Sequence, residues 1–346
     1  MPIVDYAPER FEALQLLVAQ LGGAMNLAHR PFVDYYYASH SRCKLYLSLS
    51  DSGTVLGTLG RELVGFEYKS EPITVRFGSN WYSPTRGVGR QLSMFSAESN
   101  PNSTGVMFIA SKAALDRLRH RGWIFVEGVR GYILNGPGTY PGQSWWRRGA
   151  SSMIRSVVGK KISNYASRIP SDVITGITVR EERFYSQDLL PSRCPFSFRL
   201  ATTIEYLSWR YNLSLTFVRY RLFRIVAQGR SVGYVILNES REQTIVAQCD
   251  GEDSKSLAYG ILLSILELAR NDQTHRTVFL ACCHREMRQV FESFGFRQRP
   301  GHGDLAFALR TPLPGSEASP DTSNWLVNYD WADNGLRAPF LDQVKR

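Results

Sequence analysis

No run of apolar residues in the 346-residue chain is long enough to cross a membrane, and charges at Asp5, Glu9 and Arg10 argue against a secretory leader. The five cysteines, Cys43, Cys194, Cys249, Cys282 and Cys283, make no CxxC pair and have no metal-ligand spacing. A disulfide framework and a zinc site are therefore disfavoured, and reduced thiols in a cytoplasmic protein are expected. No strict short period recurs, which argues against a solenoid. No DNA- or RNA-binding motif appears, so a nucleic-acid binder ranks third among the readings considered. What is abundant is hydrophobic side chain, 43% of the residues, enough for sizeable cores in one large or two ordinary domains. The formal charge of +10 suits a polyanion, an anionic surface or a phosphorylated cofactor without choosing among them.

The first half turns on residues 73–123. Residues 73–77 read as a strand, residues 78–85 as a turn, and the loop Arg86-Gly-Val-Gly-Arg-Gln-Leu92 opens a helix-compatible segment. A second apolar run at 106–110, another helix pattern and Gly122-Trp123 follow. Strand, helix, strand, helix implies a crossover and two parallel neighbouring strands. A glycine loop that opens a helix after a strand offers unpaired N–H groups and a positive dipole end to an anion. The same residues also read as a tight turn between two surface arginines. Ahead of this stretch, residues 8–21 show one apolar stripe of Phe11, Leu14, Leu17, Val18 and Leu21, and strands are expected over 44–49 and 54–59. The class is α/β, or α+β with a mixed sheet.

Between Glu127 and Asp172 there is no acidic residue, while Arg147, Arg148, Arg155, Lys160, Lys161 and Arg168 all lie there. Residues 144–168 read as a basic amphipathic helix headed by Trp145 and Trp146. Such a helix either packs between domains, the favoured reading, or makes peripheral contact with a membrane. The second half then repeats the plan of the first. A helix is expected over 202–211, strands over 220–227, 232–237 and 243–249, a helix over 256–269, a strand over 277–283, a helix over 285–294 and a last strand over 305–309. Expected boundaries are 1–127 for the first domain, 128–174 for a basic linker, 175–311 for the second domain and 312–346 for a tail. Aromatics in the tail segment Trp325-Leu-Val-Asn-Tyr-Asp-Trp331 are suited to docking back on the body.

Three segments carry a family resemblance: the 86–92 loop with its strand-helix context, Tyr206-Leu-Ser-Trp-Arg-Tyr211 with Gly233-Tyr-Val-Ile-Leu237, and Val290-Phe-Glu-Ser-Phe-Gly-Phe296. In their order they resemble the GNAT superfamily of N-acetyltransferases, in a tandem form with one such fold in each half. The resemblance implies acetyl-CoA or another acyl-CoA as co-substrate. It further implies a pyrophosphate held on loop amides, a pantetheine arm paired with a splayed strand, and direct attack on the thioester by an amine of a small molecule, amino sugar or biosynthetic intermediate. The cofactor-binding set it implies here is Arg86, Gly87, Val88, Gly89, Arg90, Gln91 and Ser111. The family's loop pattern fits in neither register completely, and its usual thiolate-protonating tyrosine falls on Leu118 in the first half and Phe291 in the second. Glu67 is then the candidate general base or a solvated carboxylate, and Tyr82, with Asn80 at the strand-to-loop switch, a candidate catalytic group or turn chemistry. The second-half loop, Asp250-Gly-Glu-Asp-Ser-Lys255, carries three acids and would repel a pyrophosphate. The acyl-CoA site is accordingly expected in the first half. The alternative is a non-catalytic tandem fold used for binding or scaffolding. Cys282-Cys-His284 reads either as a nucleophile beside a base or, preferably, as two buried thiols and a loop histidine.

Overall fold

A computed structural model describes residues 1–22, 26–108, 112–134, 162–240, 243–270, 277–298, 305–315, 320–332, 336 and 340–343. The chain divides into two compact units. The first takes Met1–Val126, Ala306–Pro320 and Ala332–Pro339, and the second takes Glu127–Leu305, Asp321–Trp331 and Phe340–Arg346.

In the first unit the strands are β1 (Ile3–Asp5), β2 (Cys43–Leu49), β3 (Val55–Tyr68), β4 (Glu71–Tyr82), β5 (Thr104–Phe108) and β6 (Ile124–Val126). Its helices are α1 (Phe11–Gln20), α2 (Arg30–Val33), α3 (Val88–Glu98) and α4 (Lys112–His120). The expected stripe is the buried face of α1, with Phe11, Leu14, Leu17 and Val18 inside. A π-helical turn, Asp34–Ala38, continues α2 and buries Tyr36 and Tyr37. β3 and β4 form a long hairpin closed by Lys69 and Ser70, both with positive φ (51° and 68°), the backbone of a two-residue turn that matches strand twist. β4 and β5 are parallel neighbours, as the crossover implies, with Val75, Arg76 and Phe77 opposite Thr104, Gly105 and Val106.

The second unit contains β7 (Arg130–Leu134), α5 (Ser171–Gly176), β8 (Ile177–Glu182), β9 (Phe198–Leu200), α6 (Ile204–Arg210), β10 (Arg219–Ala227), β11 (Arg230–Glu239), β12 (Gln243–Gly251), α7 (Ser254–Arg270), β13 (Thr277–Cys282), α8 (Arg285–Phe294) and β14 (Arg297–Gln298). Helix α7 buries Leu257, Ile261, Leu262 and Ile265 on the sheet beneath it. The last strand, β15 (Phe307–Leu309), returns to the first unit.

The two sheets have the same plan. The first runs β1-β2-β3-β4-β5-β15-β6 and the second β8-β10-β11-β12-β13-β7-β14. In each, one parallel pair (β4 with β5, β12 with β13) sits among antiparallel neighbours. In each, the place after the parallel pair is filled from the other half of the sequence. β15 pairs with both β5 and β6, and β7 pairs with both β13 and β14. This corrects two linear expectations. Residues 130–134 are a strand of the second sheet, not linker, and the strand expected to end the second domain completes the first. Both changes have one physical cause, since a hydrophobic strand is most stable with a neighbour on each edge. Phe307 and Phe108, facing each other across the first sheet, have ring centroids 5.8 Å apart. The 325–331 stretch is docked as expected, with Trp325 and Trp331 among the largest fully buried side chains. Of the expected helix at 144–168, residues 144–161 lie outside the described residues, and Ile162–Arg168 is a 3-10 helix. Among the described residues no helix is long and apolar enough to cross a membrane.

Candidate functional site

The parallel pairing of β4 with β5 ends at Phe77 and Val106, yet β4 runs on to Tyr82. Among the described residues the two strands therefore part, with no β4–β5 pairing beyond Phe77. Where they part, β4 carries one residue more than β3: Ser79 lies opposite Gly60, but Tyr82 lies opposite Thr58. Asn80 takes up this bulge with φ of 43°, a left-handed conformation that asparagine tolerates better than most side chains. Buried polar bonds hold it there. The Thr58 hydroxyl donates to the Asn80 carbonyl oxygen at 2.8 Å, and the Asn80 side-chain amide donates to the Tyr37 hydroxyl at 2.7 Å. Tyr37 also lies 3.1 Å from the Ser79 hydroxyl.

Beyond the bulge, a short loop leads to Gly87, whose φ of 87° makes it the N-cap of α3 without any capping side chain. The amides of Arg90 and Gln91 both donate to the Gly87 carbonyl oxygen, at 3.1 and 3.2 Å. The N–H groups of Gly87, Val88 and Gly89 have no acceptor among the described residues. The indole N–H of Trp81 donates to the Gly89 carbonyl oxygen at 3.1 Å, and a Cβ at residue 89 would stand 3.1 Å from that nitrogen. Loop and strand end are thus packed closely at the positive end of a helix, with Gly87 exposed, Gly89 half-buried and Val88 buried. Arg86, Arg90 and Gln91 are exposed, and neither arginine pairs with a carboxylate among the described residues. The Arg121 guanidinium adds a third positive charge, 5.8 Å from the centre of the Trp81 ring.

The structure brings Arg86, Gly87, Val88, Gly89, Arg90, Gln91 and Tyr82 together at this one end of β4. Glu67 is not with them. It pairs with Pro72 near the closed end of the β3–β4 hairpin, whereas the loop adjoins the Thr58–Tyr82 end, roughly 30 Å of strand away. Ser111 lies outside the described residues. Leu118 is 1% exposed and serves as core, as do Met287 and Phe291 in the second unit. Sequence reasoning missed Tyr37, Ser79 and Thr58, because ordinary polar and aromatic residues acquire meaning only from a bulge that the pattern of hydrophobicity does not reveal.

In the second unit the corresponding loop is already satisfied. Asp253 accepts the Ser256 amide at 2.7 Å as the helix cap, and Asp250 pairs with Arg199 at 2.5 Å. Glu252, 5% exposed, accepts the Ser192 hydroxyl at 2.6 Å and pairs with Arg230. The Ser192 hydrogen bond, with Arg230 beside it, holds the Glu252 carboxyl below its ordinary value of 4.5 in spite of burial. A depressed folded-state pKa adds stability at pH above about 4.5 that is lost as pH falls through the folded value. Acid unfolding of the unmodified protein should therefore have a steep limb below about pH 4.5. Glu252→Gln should be less stable at pH 7 and flatten that limb, as read by denaturant midpoints from pH 3 to 7; an unchanged slope would remove Glu252 from the account. Cys282 and Cys283 are buried, and burial pushes the Cys282 thiol up to about 12, which fits inert core thiols and not a nucleophile.

No protein-family model matches the sequence, and no curated protein matches it. Solved structures do match. A tandem GNAT protein from the clavulanic acid biosynthesis pathway aligns over 92% of this chain and 99% of its own, with 14% identity and a TM-score of 0.52. N-myristoyltransferase of Saccharomyces cerevisiae, with bound myristoyl-CoA, aligns over 89% of this chain and 82% of its own, with 9% identity and a TM-score of 0.56. A GCN5-related N-acetyltransferase from Anabaena variabilis aligns over 89% and 72%, with 9% identity and a TM-score of 0.54. At these identities the likeness is one of fold: the chain has the tandem GNAT architecture, a mixed sheet with flanking helices in each half.

Proposed function

We propose that the protein is an acyl-CoA-dependent N-acyltransferase and that its acyl-CoA site lies in the first unit. The observation that carries this reading is the parting of β4 from β5 ahead of a helix start where Gly87 is exposed, Gly89 is half-buried, and the exposed Arg86 and Arg90 pair with no carboxylate among the described residues. A pyrophosphate needs such donors and such charge. Beyond Phe77, where β4 has parted from β5, lies the place at which the amides of a pantetheine arm would run along the strand. The likeness to a myristoyltransferase that binds myristoyl-CoA supports an acyl-CoA, with acetyl-CoA one member of the class tested below. Ser111 belongs to the proposed cofactor set. A neutral amine attacks the thioester carbonyl carbon, the C–S bond breaks, the amine proton passes to a base and the thiolate takes a proton. Tyr82, half-buried at the end of β4, is the proposed thiolate donor, because Leu118 supplies no hydroxyl. Glu67 is set aside as base because of its place in the hairpin.

A second reading is a tandem fold that binds without catalysing, favoured by the apolar, buried Leu118 and Phe291. Calorimetric titration with acetyl-CoA and longer acyl-CoAs tests the first. Arg86→Glu with Arg90→Glu should weaken binding ten- to a hundredfold, about 1.4–2.8 kcal/mol, and leave the unfolding midpoint in place because both side chains are exposed. Binding without transfer to any amine would favour the second reading. If the unmodified protein binds no acyl-CoA, the first reading fails and the non-catalytic fold, used for binding or scaffolding, takes over.

A further inference from the structure

The second unit has the same parting of strands as the first, and it is filled from within. Among the described residues β12 pairs with β13 where Gln243, Thr244 and Ile245 face Thr277, Val278 and Phe279, while β12 continues to Gly251 and β13 to Cys282. The segment Trp325 to Asn328 lies in the wedge between them and, with Val246, Cys249, Leu280 and Cys282, lines the small cavity that remains there. It bonds to both walls. The Asn328 side-chain oxygen accepts the Cys249 amide at 3.0 Å, its NH2 group donates to the Cys249 carbonyl oxygen at 3.4 Å, and the Cys283 thiol donates to the Trp325 carbonyl oxygen at 3.3 Å. One side-chain amide thus answers both backbone groups of a β12 residue, as an added strand or an amide-bearing ligand would. The Trp325 ring lies against Phe198 at a tilt of 34° with ring centroids 4.4 Å apart, and Leu326 donates its amide to the Phe198 carbonyl oxygen at 2.9 Å. Trp325, Leu326, Val327 and Asn328 are each at most 3% exposed.

We propose that residues 325–328 are a built-in occupant of the second unit's cleft, docked where a ligand would otherwise pair with β12, so that this cleft takes no acyl-CoA. The sealed wedge and the self-capped acidic loop then leave one acyl-CoA site per chain. That last step rests on the function proposed above, but the docking does not, and the test below needs no acyl-CoA.

Native protein is exposed to iodoacetamide and each cysteine is followed by mass spectrometry, with amide exchange at Cys249 measured in parallel. Cys194, half-exposed, should react first, and Cys249, Cys282 and Cys283 should be protected. Asn328→Ala should raise the reaction rate of Cys249 and the exchange of its amide by about tenfold or more, while amides of the β10–β11 ladder keep their protection. Asn328→Asp, which keeps the size and an acceptor but loses the donor, should give a smaller change and covers the case in which the alanine variant does not fold. Native Cys249 reacting as fast as Cys194, or no change at Cys249 in either variant, would overturn the docking. Two acyl-CoA equivalents bound per unmodified chain would overturn the sealed cleft even if the docking stands.

Discussion

Asp330→Ala should cost about 3–5 kcal/mol of stability, the range for removing one partner of a buried ion pair. Asp330 and Arg210 have side chains with 0% exposure, and the guanidinium donates to the carboxylate at 2.9 Å and to the Asp330 carbonyl oxygen at 2.9 Å. The Tyr220 hydroxyl sits between them, accepting from Arg210 at 3.2 Å and donating to Asp330 at 3.4 Å. Burial pushes that hydroxyl far above its ordinary value, and the Asp330 charge adds to the effect, so it remains a neutral donor. Without Asp330 the Arg210 charge stays in the core and loses this carboxylate partner. The effect should reach beyond the pair, because Asp330 fastens α6 and β10 to the end of the docked 325–331 segment. Guanidinium unfolding monitored by tryptophan fluorescence, with five of the seven tryptophans at 81, 123, 209, 325 and 331, measures it directly. A loss below about 1 kcal/mol would show that packing of Trp325 and Trp331, not the ion pair, holds the segment.

The second large effect is expected at the bulge. Asn80→Val should cost about 2–4 kcal/mol, since a β-branched residue is strained at φ of 43° and the buried Tyr37 hydroxyl loses its donor. Asn80→Gly keeps the backbone conformation and loses only the side-chain bond, for about 1 kcal/mol. If the bulge positions β4 for an acyl-CoA, the valine variant should also bind it far less tightly than the glycine variant. Denaturant midpoints and one titration of each variant decide between a strained backbone and a lost hydrogen bond. Equal stabilities would mean that the left-handed conformation at Asn80 carries no weight.

Those two positions also mark the limits of reading the chain from its sequence. The helices of the second half were legible nearly to the residue, because α8 ends at Gly295 and α7 is apolar over its whole length. The parallel pair in the first half followed from the crossover, and the loop from its glycines and arginines. The distance of Glu67 from the loop is not legible in the sequence, because β3 crosses Gly57, Gly60, Arg61 and Glu62 without a break and the hairpin is far longer than its apolar runs. Arg61 and Glu62 are buried polar residues in mid-strand, and periodicity treats such residues as strand ends. Asn80 read as turn chemistry for a sound reason, its tolerance of positive φ, but a bulge and a turn use the same property. The docking of Asn328 on Cys249 depends on a pairing between residues far apart in sequence, which no local pattern encodes.

The exchange of β7 and β15 bears on how the protein is made. During synthesis the first unit has β5 and β6 long before β15 leaves the ribosome. At about 5–20 residues per second, the interval between residues 126 and 309 is roughly 10–40 s. Throughout it, two strands that will flank a third present bare edges, the state most open to pairing with a neighbouring nascent chain. The second unit has the reverse history, since its foreign strand, β7, emerges first and waits as a template for β13. A chain cut at residue 127 would lack an interior strand in each of its two sheets, so neither unit is complete until both halves have been made.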